Sequence, residues 1–158
     1  MRRPEKQIHD PAQIEAILDE AAVIRLALND DGAPYIVPLC FARLESVLYC
    51  HSASKGRKLD LIARDRRVGF EAETGVAVVP GEIPCKFGVT FRSVVGSGEA
   101  SLVMDPDEKR LGLDRLSEKY AGFRPADYPG PVLERTQVIR VIILQMTGKA
   151  SGTCGYPF

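Results

Sequence analysis

The sequence predicts a mainly β, α+β protein: an antiparallel barrel, closed or partly closed, with helices at its periphery. Three observations carry that class. Strand-like runs follow one another as a hairpin, a third strand, a helix, more strands, a second helix and a final strand. The β-branched and aromatic run from Val89 to Val103 contains Gly96 and Gly98, marking the bulge or bend at which a strand turns a small barrel's corner. The apolar run from Val138 to Met146 needs a paired neighbour on each side, and a sheet without free edges supplies both.

The elements follow in order. Asp10-Pro11 starts a helix, with an N-cap carboxylate and proline at the first helical position. Ile14, Ile17 and Leu18 share one of its faces, and the pattern ends near Glu20. Val23 to Leu28 reads as a largely buried strand. Asn29-Asp30-Asp31-Gly32 turns it back into the run Tyr35 to Ala42, so the pair is a hairpin. Arg43 to Ser46 turns into a strand at Val47–His51, and a helix-compatible run starts at Leu59. Arg66 to Glu73 reads as another strand. Pro80, Gly81 and Pro84 interrupt the segment from Gly75 to Lys86, which receives no assignment. Asp105-Pro106-Asp107-Glu108 starts a helix expected to run to about Tyr120 and to bury Leu111, Leu113 and Leu116. Phe123 to Pro131 reads as a loop. Residues 1–150 form one domain, and 151–158 read as a C-terminal tail.

Composition narrows the function classes. The 158 residues are 45% hydrophobic, enough for one core. The 21 Lys+Arg balance 21 Asp+Glu, so no global charge points to nucleic acid or an anionic membrane. No run suits a bilayer span, and the N-terminus lacks the apolar core of a signal peptide, so the expected location is cytoplasmic. Cys40, Cys50, Cys85 and Cys154 are scattered, with no CxxC and two histidines in all. They read as reduced and mostly structural, and no metal site is expected.

The stretch His51-Ser52-Ala53-Ser54-Lys55-Gly56-Arg57-Lys58 carries the chemistry. A strand emptying into a loop of hydroxyls, glycine and cations, and then into a helix, gathers N–H donors and positive charge at one place. That chemistry suits a phosphate monoester, which carries about −1.5 to −2 charges near neutral pH. The other reading is a solvated basic turn before a surface helix. The spacing fits no dinucleotide or nucleoside-triphosphate fingerprint.

Four segments, in order, resemble the FMN-binding split-barrel proteins related to pyridoxamine 5′-phosphate oxidase, and most of all the Nim-type proteins associated with 5-nitroimidazole resistance. They are Arg25–Leu28 leading to Pro34–Leu39, the stretch His51–Ile62, Phe91–Ala100, and the closing strand with Met146-Thr147-Gly148-Lys149-Ala150. The resemblance spans about residues 1–150. It implies an antiparallel split β-barrel and a homodimer that binds FMN in clefts between its subunits. By the same likeness Ser52, Lys55 and Lys58 hold the flavin phosphate, with Arg57 a further candidate. Ile36, Val37, Pro38 and Leu39 meet the isoalloxazine ring along their backbone, Ser93 borders the cofactor, and His51 sits near flavin and substrate. An imidazole there can hold a substrate or pass a proton. Proline within the second strand leaves a neighbouring backbone group outside the ladder.

Each residue also has a plain structural reading. The three cations can be one solvated helix face, His51 a satisfied strand-end histidine, and Ser93 a barrel-wall residue. Tyr35 and Phe41 read as core or interface. Cys50 and His51 point to opposite faces of a strand, which disfavours a Cys–His pair. The implied activity is FMN-dependent redox chemistry on a small-molecule substrate. A flavin-binding sensor without turnover, or a split barrel holding haem or a deazaflavin, are the alternatives.

Overall fold

The computed structural model describes residues 3–83 and 86–152. Cys85, Cys154 and the expected tail beyond Gly152 lie outside the described residues. In chain order the elements are β1 (Gln7–Ile8), α1 (Pro11–Glu20), β2 (Ile24–Asp30), β3 (Ala33–Leu39), β4 (Phe41–Leu44), β5 (Val47–Ala53), α2 (Arg57–Arg64), β6 (Arg67–Val79), β7 (Gly88–Leu102), α3 (Pro106–Ala121), α4 (Gly130–Arg135) and β8 (Thr136–Ser151). A short 3-10 turn at Pro4–Lys6 precedes them.

Local chemistry sets many of these boundaries. Asp10 accepts from the Ala12 N–H at 2.9 Å and starts α1. Asp105 accepts from the Asp107 and Glu108 N–H groups at 2.7 and 3.1 Å and starts α3, which ends at Gly122 in the left-handed region. Between β2 and β3 the turn residues Asp31 and Gly32 have φ of 51° and 90°, the pair of positive values that a type I′ hairpin requires.

The sheet is antiparallel throughout, in the order β3-β2-β6-β7-β8-β5-β4, with β1 added along β8. Its two end strands, β3 and β4, are consecutive in the chain and separated by Cys40 alone. The run expected as a single strand from Tyr35 to Ala42 therefore breaks at Cys40. Its first half pairs with β2 and its second with β5. Covalent continuity closes the barrel where hydrogen bonds do not, and a split remains between β3 and the far end of β5. The fold is the expected split barrel.

Ile24, Leu26, Phe41, Leu48, Leu61, Ile62, Val94, Ile139 and Val141 fill the interior, with Ile17 and Leu18 of α1 among them. Each such side chain contributes about 1.5–3 kcal/mol by leaving water. At the barrel corner, the β7–β8 register shifts between Ser97 and Gly98. A Cβ at Gly96 would collide with the Phe70 ring, and one at Gly98 with the Ile142 carbonyl, so the two glycines permit the bend.

Three elements differ from expectation. Helix α3 buries Gly112 and Leu116, whereas Leu111 and Leu113 are half-buried. The helix packs on Tyr49 and Val138 so closely that a Cβ at Gly112 would lie 3.0 Å from each, and this contact sets its rotation. β6 continues past a bulge between Thr74 and Ala77 to Val79 and pairs with the start of β7, forming an arm in the segment left unassigned. A short helix, α4, lies at the end of the expected loop.

Alternation leaves one sheet face open. Val94 faces the core, so Ser93 and Val95 face outward, as do Ile36 and Pro38 on β3. Ile36 is 61% exposed and Val95 55%. Arg25 pairs with Glu71 at 2.9 Å and Glu73 at 3.2 Å on the same face. No helix among the described residues is long and apolar enough to cross a membrane.

Candidate functional site

The split is the feature that brings the expected residues of β3, β5 and α2 together. β3 forms one lip. Its two-residue turn makes Asp30–Ala33 a hydrogen-bonded pair, so Tyr35, Val37 and Leu39 bond to β2 on alternate positions. Pro34, Ile36 and Pro38 then direct their backbone groups the other way, into the split. The prolines lack an N–H, so this edge carries three carbonyls and one donor, the Ile36 N–H. Proline on an edge also blocks further strand pairing. The result is a flat edge fit for a polar heteroaromatic rim. Val37 and Leu39 turn their side chains inward and are half-buried against the core.

The end of β5 and the start of α2 form the other lip. β3 and β5 approach here without a ladder between them. The Ser54 N–H donates to the Arg135 carbonyl at 3.0 Å, which anchors the loop to the end of α4. Gly56 precedes α2 with φ of 138°, and no side chain caps the helix. The Leu59 and Asp60 N–H groups reach the Gly56 carbonyl at 2.9 and 3.4 Å. Those of Arg57 and Lys58 have no acceptor among the described residues. An uncapped helix start carries a positive partial charge and free donors, which is an anion site in outline.

The three cations of this loop have different surroundings. Lys58 is half-buried and Lys55 exposed, and neither has an ion-pair partner among the described residues. Arg57 is engaged: it donates to the Asp30 carboxylate and stacks 5.0 Å above the Tyr35 ring. The Ser52 hydroxyl donates to the Ala53 carbonyl at 2.8 Å, so its lone pairs, not its proton, are free.

His51 is exposed on β5, opposite Val138 of β8 and facing away from the core. Its neighbour Cys50 is fully buried, and burial, with a smaller effect from Cys40, pushes the thiol up to about 12. Cys50 is therefore an inert core residue, and a Cys50–His51 nucleophile is absent. Cys40 is exposed at the β3–β4 junction, and both thiols are free. Ser93 lies elsewhere. It sits on the outer face of β7 between Glu73 and Lys149, three strands from β3. In its own chain it does not reach the split.

Asp30 and Tyr35 are site-adjacent residues that the sequence reading placed in a turn and in the core or interface. The available signal was the spacing of Arg57 and Arg64, two helical turns apart and so on one face of α2. Both arginines reach Asp30. Among the described residues no cluster of three or more His, Cys, Asp or Glu could hold a metal.

The fold and the site together define a class: an antiparallel split barrel with an open, cationic helix start beside a proline-bordered strand edge. The family model described as pyridoxamine 5′-phosphate oxidase matches residues 10–150, and the chain belongs to that family. Among solved structures it is similar to one from Bacteroides thetaiotaomicron provisionally assigned to 5-nitroimidazole antibiotic resistance. The two share 29% identity over 91% of this chain and 86% of that one, with a TM-score of 0.80. An FAD- and haem-binding protein from Mycobacterium smegmatis shares the fold at 22% identity, over 97% and 76% of the chains, with a TM-score of 0.80. An FAD-binding protein from Mesorhizobium loti does so at 24%, over 93% and 98%, with a TM-score of 0.69. No curated protein matches the chain.

Proposed function

We propose that the protein binds FMN in the split, as a homodimer whose flavin sites lie at the subunit interface, and acts as an oxidoreductase on a small molecule. The observation that carries this reading is the uncapped start of α2, with Lys55 and Lys58 free of ion pairs among the described residues, across the split from the Ile36 edge. Lys58, Lys55 and the N–H groups of Arg57 and Lys58 complement a phosphate dianion. The Pro34–Pro38 edge offers acceptors and one donor to a ring rim. The residues present therefore fit a phosphorylated flavin, and the flavin-binding relatives of the same fold support that choice.

Dimerisation has its own support. Ile36, Val95 and Leu144 are exposed, Leu144 at 65%, and no helix among the described residues covers Ile36 and Val95. A second copy seated on this face would shield the slot from water and would bring its own Ser93 toward a neighbouring split. Burying such a face is what an obligate homodimer does.

Bound flavin supplies the electron transfer, to an acceptor such as a nitroheterocycle. The chain's residues do the rest. The lysines fix the phosphate end, the β3 edge fixes the ring, and the exposed His51 imidazole positions the acceptor and passes it a proton.

The purified protein should show the visible absorption of a flavin, and mass analysis of the released cofactor should give FMN. A Soret band, or FAD as the released species, overturns the cofactor assignment. Oxidation of a reduced pyridine nucleotide with a nitroimidazole under anaerobic conditions tests the reductase; a flavin-loaded protein without turnover is a carrier or sensor. His51→Ala should keep flavin and dimer while turnover falls about a hundredfold. An unfolded variant would instead make His51 a structural residue.

A further inference from the structure

No ladder sets the width of the split. At one end the chain itself ties β3 through Cys40 to β4, which pairs with β5. At the other end the contacts are side chains. The Asp30 carboxylate is 14% exposed and accepts from Arg57 and, at 3.4 Å, from Arg64. The Arg57 guanidinium lies 5.0 Å from the centroid of the Tyr35 ring. Arg64 also reaches Asp31 at 3.5 Å, and Asn29 donates to Asp65 at 3.2 Å just beyond α2. Tyr35 immediately precedes Ile36, and Arg57 immediately precedes Lys58.

We propose that Asp30, Arg57 and Tyr35 form a clamp that sets the spacing between the two lips, which makes Arg57 a positioning residue and not a phosphate ligand. The proposal rests on the flavin site described above and assigns one of its cations to a different task. Two physical points support it. Asp30 and Asp31 together balance Arg57 and Arg64, so little of the Arg57 charge is left for a dianion, whereas Lys55 and Lys58 have no ion-pair partner among the described residues. A planar guanidinium can stack on an aromatic ring and still donate in its own plane to a carboxylate, so it holds the two groups at a fixed separation. Lysine cannot do both. A ligand gripped at its phosphate by one lip and along its ring by the other feels any change in that separation at both ends.

The test compares wild type with Asp30→Ala, Arg57→Ala, Arg57→Lys and the double alanine variant. Two quantities are read: amide hydrogen exchange across residues 33–39 in the free protein, and dissociation constants for both FMN and riboflavin. The clamp predicts faster exchange in every variant, with Arg57→Lys intermediate. It also predicts weaker binding of FMN and riboflavin by the same factor, roughly fivefold, with the double variant no worse than the worse single one.

Selective loss of FMN binding in Arg57→Ala, with Asp30→Ala neutral or tighter, would make Arg57 a phosphate ligand and overturn the clamp. Unchanged exchange and binding overturn it as well. If wild type binds neither flavin, the cofactor reading fails while the exchange data still decide the clamp. If Asp30→Ala does not fold, Arg57→Lys carries the comparison, because it keeps the charge and loses the stacked fork.

Discussion

The starts of the three longer helices follow two designs. At α1 and α3 an aspartate caps the first N–H groups and a proline fills the first position. At α2 a glycine precedes the helix, no side chain caps it, and Lys55, Arg57 and Lys58 cluster around it. Capping is worth about 0.5–2 kcal/mol, and cations beside a helix N-terminus oppose its dipole. The chain therefore carries a local electrostatic cost at α2 that it avoids at the other two. A bound anion reverses that cost, because it accepts the free N–H groups and neutralises the lysines together. The capped starts hold the fold, and the open one is available to a ligand.

The largest effect that can break this contrast is at Lys58. Lys58→Ala should weaken FMN binding by about 1.5–3 kcal/mol, the range of a charge-assisted hydrogen bond with its partner left exposed to less charge. Riboflavin, which has no phosphate, should bind the variant as it binds wild type. Flavin fluorescence titrations read both constants. Equal weakening of the two ligands would move Lys58 from the phosphate to the general shape of the slot, and no weakening would return the loop to an ordinary solvated face.

The capped starts should behave in the opposite way. Asp105 accepts from two N–H groups and Asp10 from one. Asp105→Ala should lower stability by about 1–2 kcal/mol, and Asp10→Ala by about 1 kcal/mol. Urea unfolding measures these losses, and FMN affinity of the folded variants should not change. A large loss of FMN affinity in either would mean that the helix starts are not separate in function.

The legible parts of the molecule are those whose signal is local. An Asp-Pro pair, two turn residues able to take positive φ, and the Gly96/Gly98 pair each act within a few residues, and each appears where the sequence places it. The strand break at Cys40 is different. Nothing in Tyr35–Ala42 says that its halves have different partners, because that choice is made by β2 and β5 elsewhere in the chain. The β6–β7 arm was hidden because its glycines and prolines mark a bulge and a turn within a hairpin as readily as a loop. In the site, the cations of the loop were readable from composition. Arg57's engagement was not, since its partner Asp30 lies 27 residues away. Ser93 illustrates the same limit. Its strand is evident, but only the pairing order shows it three strands from β3 and two from β5.

Lys55 sharpens the contrast further. It is exposed, whereas Lys58 is half-buried. Water screens an exposed charge, so Lys55→Ala should cost FMN binding less than about 1 kcal/mol, and that loss should shrink as salt is added. An effect as large as that of Lys58 would mean that the loop closes over the phosphate when ligand binds.

The smallest expected effect is in pH. The second ionisation of a phosphate monoester lies near pH 6 in water. Cations and helix N–H groups favour the dianion, so binding lowers that ionisation further. Affinity is then at its full value well above pH 6 and has declined about twofold at pH 6 itself, with a further fall below it. Riboflavin binding should be flat over the same interval, so the ratio of the two constants isolates the phosphate from every protein group that titrates there. A ratio independent of pH would mean that the open start of α2 does not distinguish a dianion from a monoanion. Neither the lysines nor the free N–H groups would then be in contact with the phosphate, because either contact favours the dianion over the monoanion.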